Sequence, residues 1–338
     1  MGFSALPALL QAAALASTPR PIILSTDPGI DDSIAILLAL ASPELALKAV
    51  CIDFGSLANL TQLEHNALAV LALGGGASVP VYRGAAAPLA APFHDLGGPL
   101  FHGKDGVGGV PPPALPSHGV NLTLSGAEAI VEACRTWRPA PVLVSLAPLT
   151  NLALALALEP RLPQLCPDVY VMGGTLAAPG NVSPLAEANL ANDAEAAQRV
   201  FDAGFALRVA GLDVTMATWL DQSYLDSLRS LPNAAGPWVW NMTRFYTRAY
   251  RNNGYRGGMP LHDPSALLML LRPDIYSMKR WTATVDTTPY PSPTRGLVIA
   301  DRRGGPLSPP SNSSTQFAMD VDVHAVQLFL RERLSRSP

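Results

Sequence analysis

The sequence predicts an α/β fold, with an open, mostly parallel sheet flanked by helices and a few antiparallel edge strands near the C-terminus. One observation is that apolar runs of strand length alternate with longer segments of helical length through most of the chain. Another is composition: of 338 residues, 49% are hydrophobic and 14% are charged, which supplies a large core. Because no linker-like stretch interrupts the alternation, we predict one domain at residues 21–338, after an N-terminal extension at residues 1–20.

The predicted elements follow one another in a strand, turn and helix order. The first apolar run predicts a buried strand at residues 21–26, and the next apolar segment predicts a helix at residues 33–41. The same reasoning predicts further strands at residues 47–54, 79–82, 141–146 and 169–172. It predicts further helices at residues 60–73, 126–136, 149–158, 238–250, 263–271 and 321–334.

Two segments do not fit this alternation. Residues 85–117 are rich in Gly, Pro and His and are too long for an ordinary connection, so they form a candidate active-site loop. Residues 287–314 carry many of the 33 prolines, which predicts turns that link a few edge strands.

Charge and hydropathy limit the kinds of partner. A formal net charge of -3 and a pI near 6.1 leave no basic surplus for a nucleic acid or an anionic membrane. Apolar runs are interrupted before they reach the length of a membrane span. We therefore expect the protein to bind a small molecule and to bind neither nucleic acid nor a membrane. We also expect it to form a homodimer or a homotetramer.

The three cysteines, Cys51, Cys134 and Cys166, lie far apart in the sequence. Their number and spacing suggest neither a disulfide framework nor a zinc site, so we expect a reducing, cytoplasmic compartment. Secretion is the alternative, because residues 1–17 form an apolar run of signal-peptide length, although this run lacks Lys and Arg. Five Asn-x-Ser/Thr sequons do not decide between the two compartments, and they begin at Asn59, Asn121, Asn181, Asn241 and Asn312.

The strongest chemical signal is an acidic turn at residues 27–32, where a buried strand meets a helix. Asp27, Asp31 and Asp32 lie within six residues of one another, and like charges that close repel. A calcium ion, which takes six to eight oxygen ligands, is the simplest group that offsets this repulsion. The alternative is that Asp27 forms an Asx turn while Asp31 and Asp32 only cap the helix.

A second acidic position is the tripeptide His262-Asp263-Pro264, where another helix is predicted to begin. Asp before Pro is ordinary helix capping. The neighbouring histidine adds a group that transfers protons near neutral pH, and Asp263 adds a carboxylate that can complete a metal site.

A third group of polar residues follows the predicted strand at residues 169–172. Gly173-Gly174 allows close approach of a ligand to the backbone, and the next loop carries Asn181, Glu187 and Asn189, which suit a polyhydroxylated ligand. The alternative is that these are solvated turn residues.

Together these motifs resemble the nucleoside hydrolase family, the inosine-uridine-preferring nucleoside N-ribohydrolases. The resemblance covers residues 21–334. It rests on Asp27-Pro-Gly-Ile-Asp31-Asp32, Leu149-Thr150-Asn151, Met172-Gly-Gly, the loop with Glu187 and Asn189, and His262-Asp263-Pro264.

The resemblance implies a role for each matched position. Calcium would be bound by the side chains of Asp27, Asp32 and Asp263 and by the backbone carbonyl of Leu146. The ribose hydroxyls would be held by Asp31, Asn181, Glu187 and Asn189, with Asp263 shared between metal and sugar. His262 would face the base.

These roles imply hydrolysis of the N-glycosidic bond of a ribonucleoside to a free base and ribose. A calcium-bound water, deprotonated with help from Asp27, would attack the anomeric carbon. His262 is the first candidate for the acid that protonates the leaving base, and His102 in the long loop is the second. Tyr246 and Tyr250 would stack on the base or relay the proton, or else belong to the core.

Two positions depart from the family pattern. Ser25 stands where an Asp is usual, which predicts weaker metal binding, and Ser56 stands where an Asn is usual, which removes one expected ribose contact. His262 favours an inosine-uridine or pyrimidine preference over a strictly purine-specific one. The alternatives are a catalytically impaired homologue that binds ribose or nucleosides, and a divalent-metal phosphatase with Asp27 as nucleophile, for which phosphate-binding motifs are lacking.

Overall fold

The apolar runs form a central sheet and two small accessory sheets. A computed structural model describes residues 18–110, 113, 118–303 and 315–337, so residues 1–17 of the extension predicted at residues 1–20 and parts of the two irregular segments lie outside it. The strands in these ranges are β1 (Arg20–Thr26), β2 (Leu45–Ile52), β3 (Val81–Arg83), β4 (Val142–Ser145), β5 (Asp168–Met172), β6 (Ala206–Ala210), β7 (Trp219–Leu220), β8 (Met259–Pro260), β9 (Tyr276–Arg280), β10 (Ala283–Val285), β11 (Val298–Ala300) and β12 (Gln316–Val321).

Helices connect most of the neighbouring strands. A short 3-10 helix, Pro273–Ile275, precedes β9. The α-helices are α1 (Ile30–Leu40), α2 (Leu60–Leu73), α3 (Gly98–His102), α4 (Gly126–Thr136), α5 (Thr150–Leu158), α6 (Leu162–Leu165), α7 (Ala188–Asn192), α8 (Ala194–Asp202), α9 (Leu212–Thr215), α10 (Gln222–Leu228), α11 (Ala235–Asn252), α12 (Pro264–Leu271) and α13 (Val323–Leu334). Over the described ranges, no helix combines the length and the apolar character that crossing a bilayer requires.

The central sheet has eight strands in the order β3-β2-β1-β4-β5-β6-β12-β9. All neighbouring pairs are parallel except β12 and β9, which form an antiparallel edge. Strands β10 and β11 form a separate antiparallel pair. The predicted fold class is therefore confirmed, including the antiparallel strands near the C-terminus.

Alternating side chains of the strands fill two apolar layers, one on each face of the sheet. In β1, Ile22 and Leu24 pack in the layer under α1, α2, α11 and α12, whereas Ile23 packs in the layer under α4, α5 and α8. Both faces of a parallel sheet must be covered in this way, which explains why its strands are nearly continuous apolar runs.

Several boundaries differ from the sequence-based prediction. Helix α1 begins at Ile30 and not at residue 33, because the Asp32 carboxylate accepts a hydrogen bond from the Gly29 N–H at 2.9 Å and so closes the first turn. Strand β6 was not predicted, since Arg208 interrupts its apolar run; in the fold Arg208 pairs with Asp168 of β5 at 2.8 Å. Strands β9 and β12 were also not predicted.

The expectation of unpaired cysteines is wrong. Cys134 in α4 and Cys166 directly after α6 form a disulfide, with their Cα atoms 5.7 Å apart. The two residues are 32 positions apart in sequence and meet because α4 and α6 pack against each other on one face of the sheet. Cys51 is a free, buried thiol. The cysteines therefore no longer support the prediction of a reducing compartment.

The order of the strands determines where a ligand can bind. The chain runs outward from β1 to β2 and β3, and then returns to place β4 on the other side of β1. In open α/β sheets, the crevice at such a reversal lies beyond the carboxyl ends of the two strands and is the usual ligand site. Here Asp27 follows β1 and Leu146 follows β4.

Candidate active site

A cavity of about 270 Å³ lies at the carboxyl ends of β1 and β4. Its lining includes every residue that the sequence suggested as a catalytic, metal-binding or substrate-binding side chain or carbonyl, whereas Gly173 and Gly174 do not line it. The suggested residues in the lining are Asp27, Asp31, Asp32, His102, Leu146, Asn181, Glu187, Asn189, Tyr246, Tyr250, His262 and Asp263. Parts of the chain that are remote in sequence are thus brought to one place, although their roles stay predictions.

The acidic turn is shaped by hydrogen bonds to its own carboxylates. The Asp32 carboxylate accepts from the Gly29 N–H at 2.9 Å and from the Thr26 hydroxyl at 2.5 Å. Gly29 has extended backbone and Ile30 begins α1, so Asp31 and Asp32 occupy the first helical turn. Negative charge is favoured at this end of a helix, and both side chains are buried at the floor of the cavity.

Three carboxylates converge at this floor. Asp31, Asp32 and Asp263 each offer an oxygen within 4.8 Å of the others. Burial raises the pKa of all three, that of Asp31 to about 6, and the Asp31 charge raises the pKa of Asp32 and Asp263 further. Asp31 Oδ1 is buried and has no hydrogen-bond partner among the described residues. A cluster with an unused buried oxygen fits a divalent cation.

Asp27 lies beside these three carboxylates and is held by Ser56. The Ser56 N–H donates to Asp27 Oδ2, and the Ser56 hydroxyl donates to the Asp27 carbonyl. Gly55 has a φ of 151°, and a side chain there would come within 2.3 Å of Asp27 Oδ2, so glycine is needed for this approach. Burial, followed by the charge of Asp32, raises the pKa of Asp27 well above its usual range.

The loop after β5 supplies the next wall of the cavity. Asn189 donates from Nδ2 to the Leu146 carbonyl at 2.9 Å and to the Met172 carbonyl at 3.1 Å. Glu187 accepts from the backbone N–H of Gly174 and of Asn189, each at 2.8 Å. Burial nevertheless raises the Glu187 pKa to about 7. Asn181 lies at the exposed rim, where its Oδ1 accepts from the Ala188 N–H at 3.0 Å.

His262 makes a contact at each ring nitrogen. Its Nε2 lies 2.8 Å from the Tyr250 hydroxyl, and its Nδ1 lies 2.8 Å from the Thr215 hydroxyl. Burial lowers the His262 pKa to about 3, so the ring is neutral near pH 7. A neutral ring has one donor and one acceptor nitrogen, and here each nitrogen faces a hydroxyl that can either donate or accept a hydrogen bond.

His102 lies against the acidic turn. Its Nδ1 accepts from the Ile30 N–H at 3.2 Å and lies 3.7 Å from Asp31 Oδ1. Burial lowers the His102 pKa to about 4, and an accepting Nδ1 places the proton of the neutral ring on Nε2. The Tyr246 hydroxyl donates to Asp31 Oδ2 at 3.1 Å.

Aromatic side chains form the outer wall. The ring of Phe101 lies 5.0 Å from that of Tyr250, and the Tyr250 ring lies 5.4 Å from that of Tyr255. These rings line the cavity, and they offer faces on which a planar group can stack.

The sequence-based reasoning missed residues that act through other residues. Ser56 was noted only as a departure from a pattern, although it contacts Asp27 twice. Thr215 contacts His262, and Asn66 donates from Nδ2 to the Pro28 carbonyl at 3.0 Å and to the Asp105 carbonyl at 2.8 Å. Asn66 lies in a segment that was predicted as an apolar helix, so the sequence around it gave no indication of these two contacts.

Comparisons with known proteins agree with this arrangement. The sequence model of the family described as inosine-uridine preferring nucleoside hydrolase matches residues 22–327. The chain is 35% identical to the pyrimidine-specific ribonucleoside hydrolase RihA of Photobacterium profundum, over 94% of this chain and 99% of that protein. It is also 35% identical to the non-specific ribonucleoside hydrolase RihC of Escherichia coli, over 93% of this chain and 98% of that protein.

Solved structures give the same result. A purine-preferring ribonucleoside hydrolase from Gardnerella vaginalis superposes with a TM-score of 0.86 and 32% identity, covering 94% of this chain and 98% of that one. A plant nucleoside hydrolase superposes with a TM-score of 0.85 and 27% identity, covering 94% and 99%.

Proposed function

This chain belongs to the inosine-uridine preferring nucleoside hydrolase family, and we propose that it cleaves ribonucleosides to a free base and ribose in the cavity described above. Hydrolysis of the N-glycosidic bond of nucleosides is the activity of the family. The assignment to this cavity rests on one observation. The acidic turn, Asp263 and the loop that carries Glu187 and Asn189 all lie there.

The proposed cation is Ca²⁺, bound by the side chains of Asp27, Asp32 and Asp263 and by the Leu146 carbonyl. The group of carboxylates with oxygens within 4.8 Å of one another includes Asp32 and Asp263, but its third member is Asp31 and not Asp27. Asp27 lines the same cavity. Buried carboxylates this close need an opposing charge, and the cavity lining contains neither Lys nor Arg among the described residues. When bound, such an ion would orient the ribose hydroxyls and make water more acidic.

The absence of Lys and Arg from the described lining also bears on the substrate. A nucleotide would bring a doubly charged phosphate next to several carboxylates, with no cation from the protein to oppose that charge. The proposed substrate is therefore the uncharged nucleoside, and a phosphatase function finds no support here.

Ribose would be held by acceptors that face its hydroxyl groups. Asp31, Glu187 and Asp263 offer carboxylate oxygens, while Asn181 and Asn189 add amide groups. Cleavage builds positive charge on the ribose ring, and buried carboxylates stabilise such a charge more strongly than water does. Asp27, oriented by Ser56, would accept the proton of the attacking water.

The leaving base needs a proton, and His262 is the proposed source. Because its Nε2 faces the Tyr250 hydroxyl, the proton would reach the base along that hydroxyl. His102, the second candidate, would donate a hydrogen bond from Nε2. Both rings are neutral near pH 7, with a pKa of about 4 for His102 and of about 3 for His262, so His262 is preferred for its contact with the Tyr250 hydroxyl and not for its pKa. Tyr246 would hold Asp31 in place through its 3.1 Å hydrogen bond.

The test is turnover by the purified protein. With added calcium, uridine or inosine should yield free base, measured by chromatography, and an equal amount of reducing sugar. Asp27→Ala and a strong chelator should each abolish the reaction, whereas the matched exposed variant Asp202→Asn should not affect it. Binding of nucleoside without turnover would instead support the impaired homologue, and full activity of Asp27→Ala would refute the role of that carboxylate.

A further inference from the structure

We infer that this chain matures in an oxidising secretory compartment, where it receives Asn-linked glycans at Asn59, Asn121 and Asn241 and closes the disulfide between Cys134 and Cys166. Five sequons occur in the sequence, and four of them lie in the described residues. The fifth, at Asn312, lies outside and is not used. None of these three asparagines and neither cysteine lines the cavity.

The three asparagines have accessible side chains whose amide nitrogens are not engaged. Asn59 and Asn241 are exposed, and Asn121 is partly exposed. Asn59 uses only Oδ1, to cap α2 by accepting from the Gln62 N–H. Asn121 also uses only Oδ1, which accepts from the backbone N–H of Thr123 and, at 2.7 Å, from the Thr123 hydroxyl. In the described part of the chain no hydrogen bond involves the Asn241 side chain.

Attachment of a glycan to asparagine is a group transfer, and it involves no change of oxidation state. The asparagine Nδ2 forms a bond to the anomeric carbon of an oligosaccharide carried on a lipid pyrophosphate. The bond between that carbon and the phosphate oxygen breaks, the lipid pyrophosphate leaves with the electron pair, and one amide proton passes to a base of the transferase. The product keeps the Oδ1 contacts of Asn59 and Asn121.

Asn181 provides an internal contrast. Its side chain lines the cavity, and its Oδ1 accepts from the Ala188 N–H. A glycan on Asn181 would fill the mouth of the cavity, so we expect this sequon to be unmodified in the active protein.

The disulfide is an independent observation that leads to the same compartment. Both cysteine side chains are fully buried, at 0% exposure, so the bond is protected once the protein has folded. Its formation oxidises two thiols, and the two electrons and two protons pass to the disulfide of an oxidoreductase, which becomes a dithiol. Such bonds persist in secretory and extracellular compartments and are rare in the cytosol.

The decisive experiment uses the protein isolated from its natural source. Its peptides are treated with a peptide N-glycosidase in ¹⁸O-water, which converts each glycosylated Asn to a labelled Asp, and thiols are alkylated under denaturing conditions before any reduction. We expect the label at Asn59, Asn121 and Asn241, none at Asn181, and no alkylation of Cys134 or Cys166. An unlabelled Asn59, Asn121 or Asn241, a labelled Asn181 or an alkylated Cys134 would overturn the inference.

Variants separate the individual sites. The full chain, secreted from a eukaryotic host, should gain electrophoretic mobility after glycosidase treatment. Asn241→Gln should lose one step of that shift, and Thr61→Ala should lose another while it keeps the Asn59 cap of α2. Neither residue lines the cavity, so turnover of uridine should stay within about twofold of the unmodified chain. A wild-type chain with no shift would count against the inference.

Discussion

The Tyr250 hydroxyl lies 2.8 Å from His262 Nε2, and both side chains are buried in the wall of the cavity. The ring of His262 therefore does not face the cavity with a free nitrogen, because its other nitrogen contacts Thr215. This pair connects helix α11 to the residue before Asp263, and so it connects the aromatic wall to the acidic floor.

The first prediction concerns this pair. If the proton reaches the base from His262 along the Tyr250 hydroxyl, then His262→Ala and Tyr250→Phe should each lower kcat on uridine, by about 10²–10⁴-fold for a lost general acid. The double variant should be little worse than either single one, because the residues act as a unit. An activated aryl riboside, which needs no proton, should be cleaved at a nearly unchanged rate. Equal losses on both substrates would remove the pair from proton transfer.

The second prediction concerns the carboxylate cluster. Asp32→Asn and Asp263→Asn remove like charge from a buried site, so each should raise the melting temperature of the protein in chelator. Calcium at a hundred times its Kd should stabilise the wild type by about 2.7 kcal/mol and should stabilise these variants far less. Asp202→Asn on the surface should behave as the wild type. A wild-type melting temperature that calcium does not raise would contradict the site.

The third prediction concerns Glu187, whose pKa burial raises to about 7. Between pH 4.5 and 7 the folded state keeps a proton that the unfolded state has lost, so stability is greatest below the unfolded pKa and falls as the pH rises. For this group the fall is about 3 kcal/mol. Urea unfolding in chelator should show a weaker pH dependence for Glu187→Gln than for the wild type. Parallel curves would show that the carboxylate is not held in this environment.

The fourth prediction concerns Asn66, which joins the acidic turn to the loop that carries His102. Asn66→Ala would leave the carbonyls of Pro28 and Asp105 without a donor, at a cost of about 1–3 kcal/mol each. We expect faster hydrogen exchange at residues 103–110 and a raised KM. Gln62→Ala is the matched control, because it removes only the bond that Gln62 donates to Asn66 Oδ1 at 2.9 Å. If residues 103–110 exchange at the wild-type rate, Asn66 does not hold this loop.

Much of the fold and of the candidate site could be predicted because the signals are local. The apolar runs of β1 and β4 identify buried strands, and the carboxylates that follow β1 lie at the strand end where ligands bind in such sheets. The family resemblance is confirmed by the match over residues 22–327. Calcium, the individual residue roles and the oligomeric state stay predictions.

The rest depends on contacts between remote segments. The disulfide was missed because its formation depends on α4 packing against α6, which no spacing of cysteines reveals. From the sequence, Ser56 was interpreted only as a position where an expected ribose contact is missing. In the fold Ser56 donates two hydrogen bonds to Asp27, and a pattern of residue types cannot indicate such contacts. The contacts of His262 likewise depend on Thr215 and Tyr250, which reach it from α9 and α11.

The hydrogen bond between Asp31 and Tyr246 spans 215 positions of the chain. A ribosome releases the acidic turn early and helix α11 late, and domains tend to fold as units during synthesis. For most of that time the nascent chain carries mutually repelling carboxylates without the aromatic wall that later encloses them. Competence to bind substrate would therefore arise in one late step of translation, and an N-terminal fragment that ended before α11 would bind neither ion nor nucleoside.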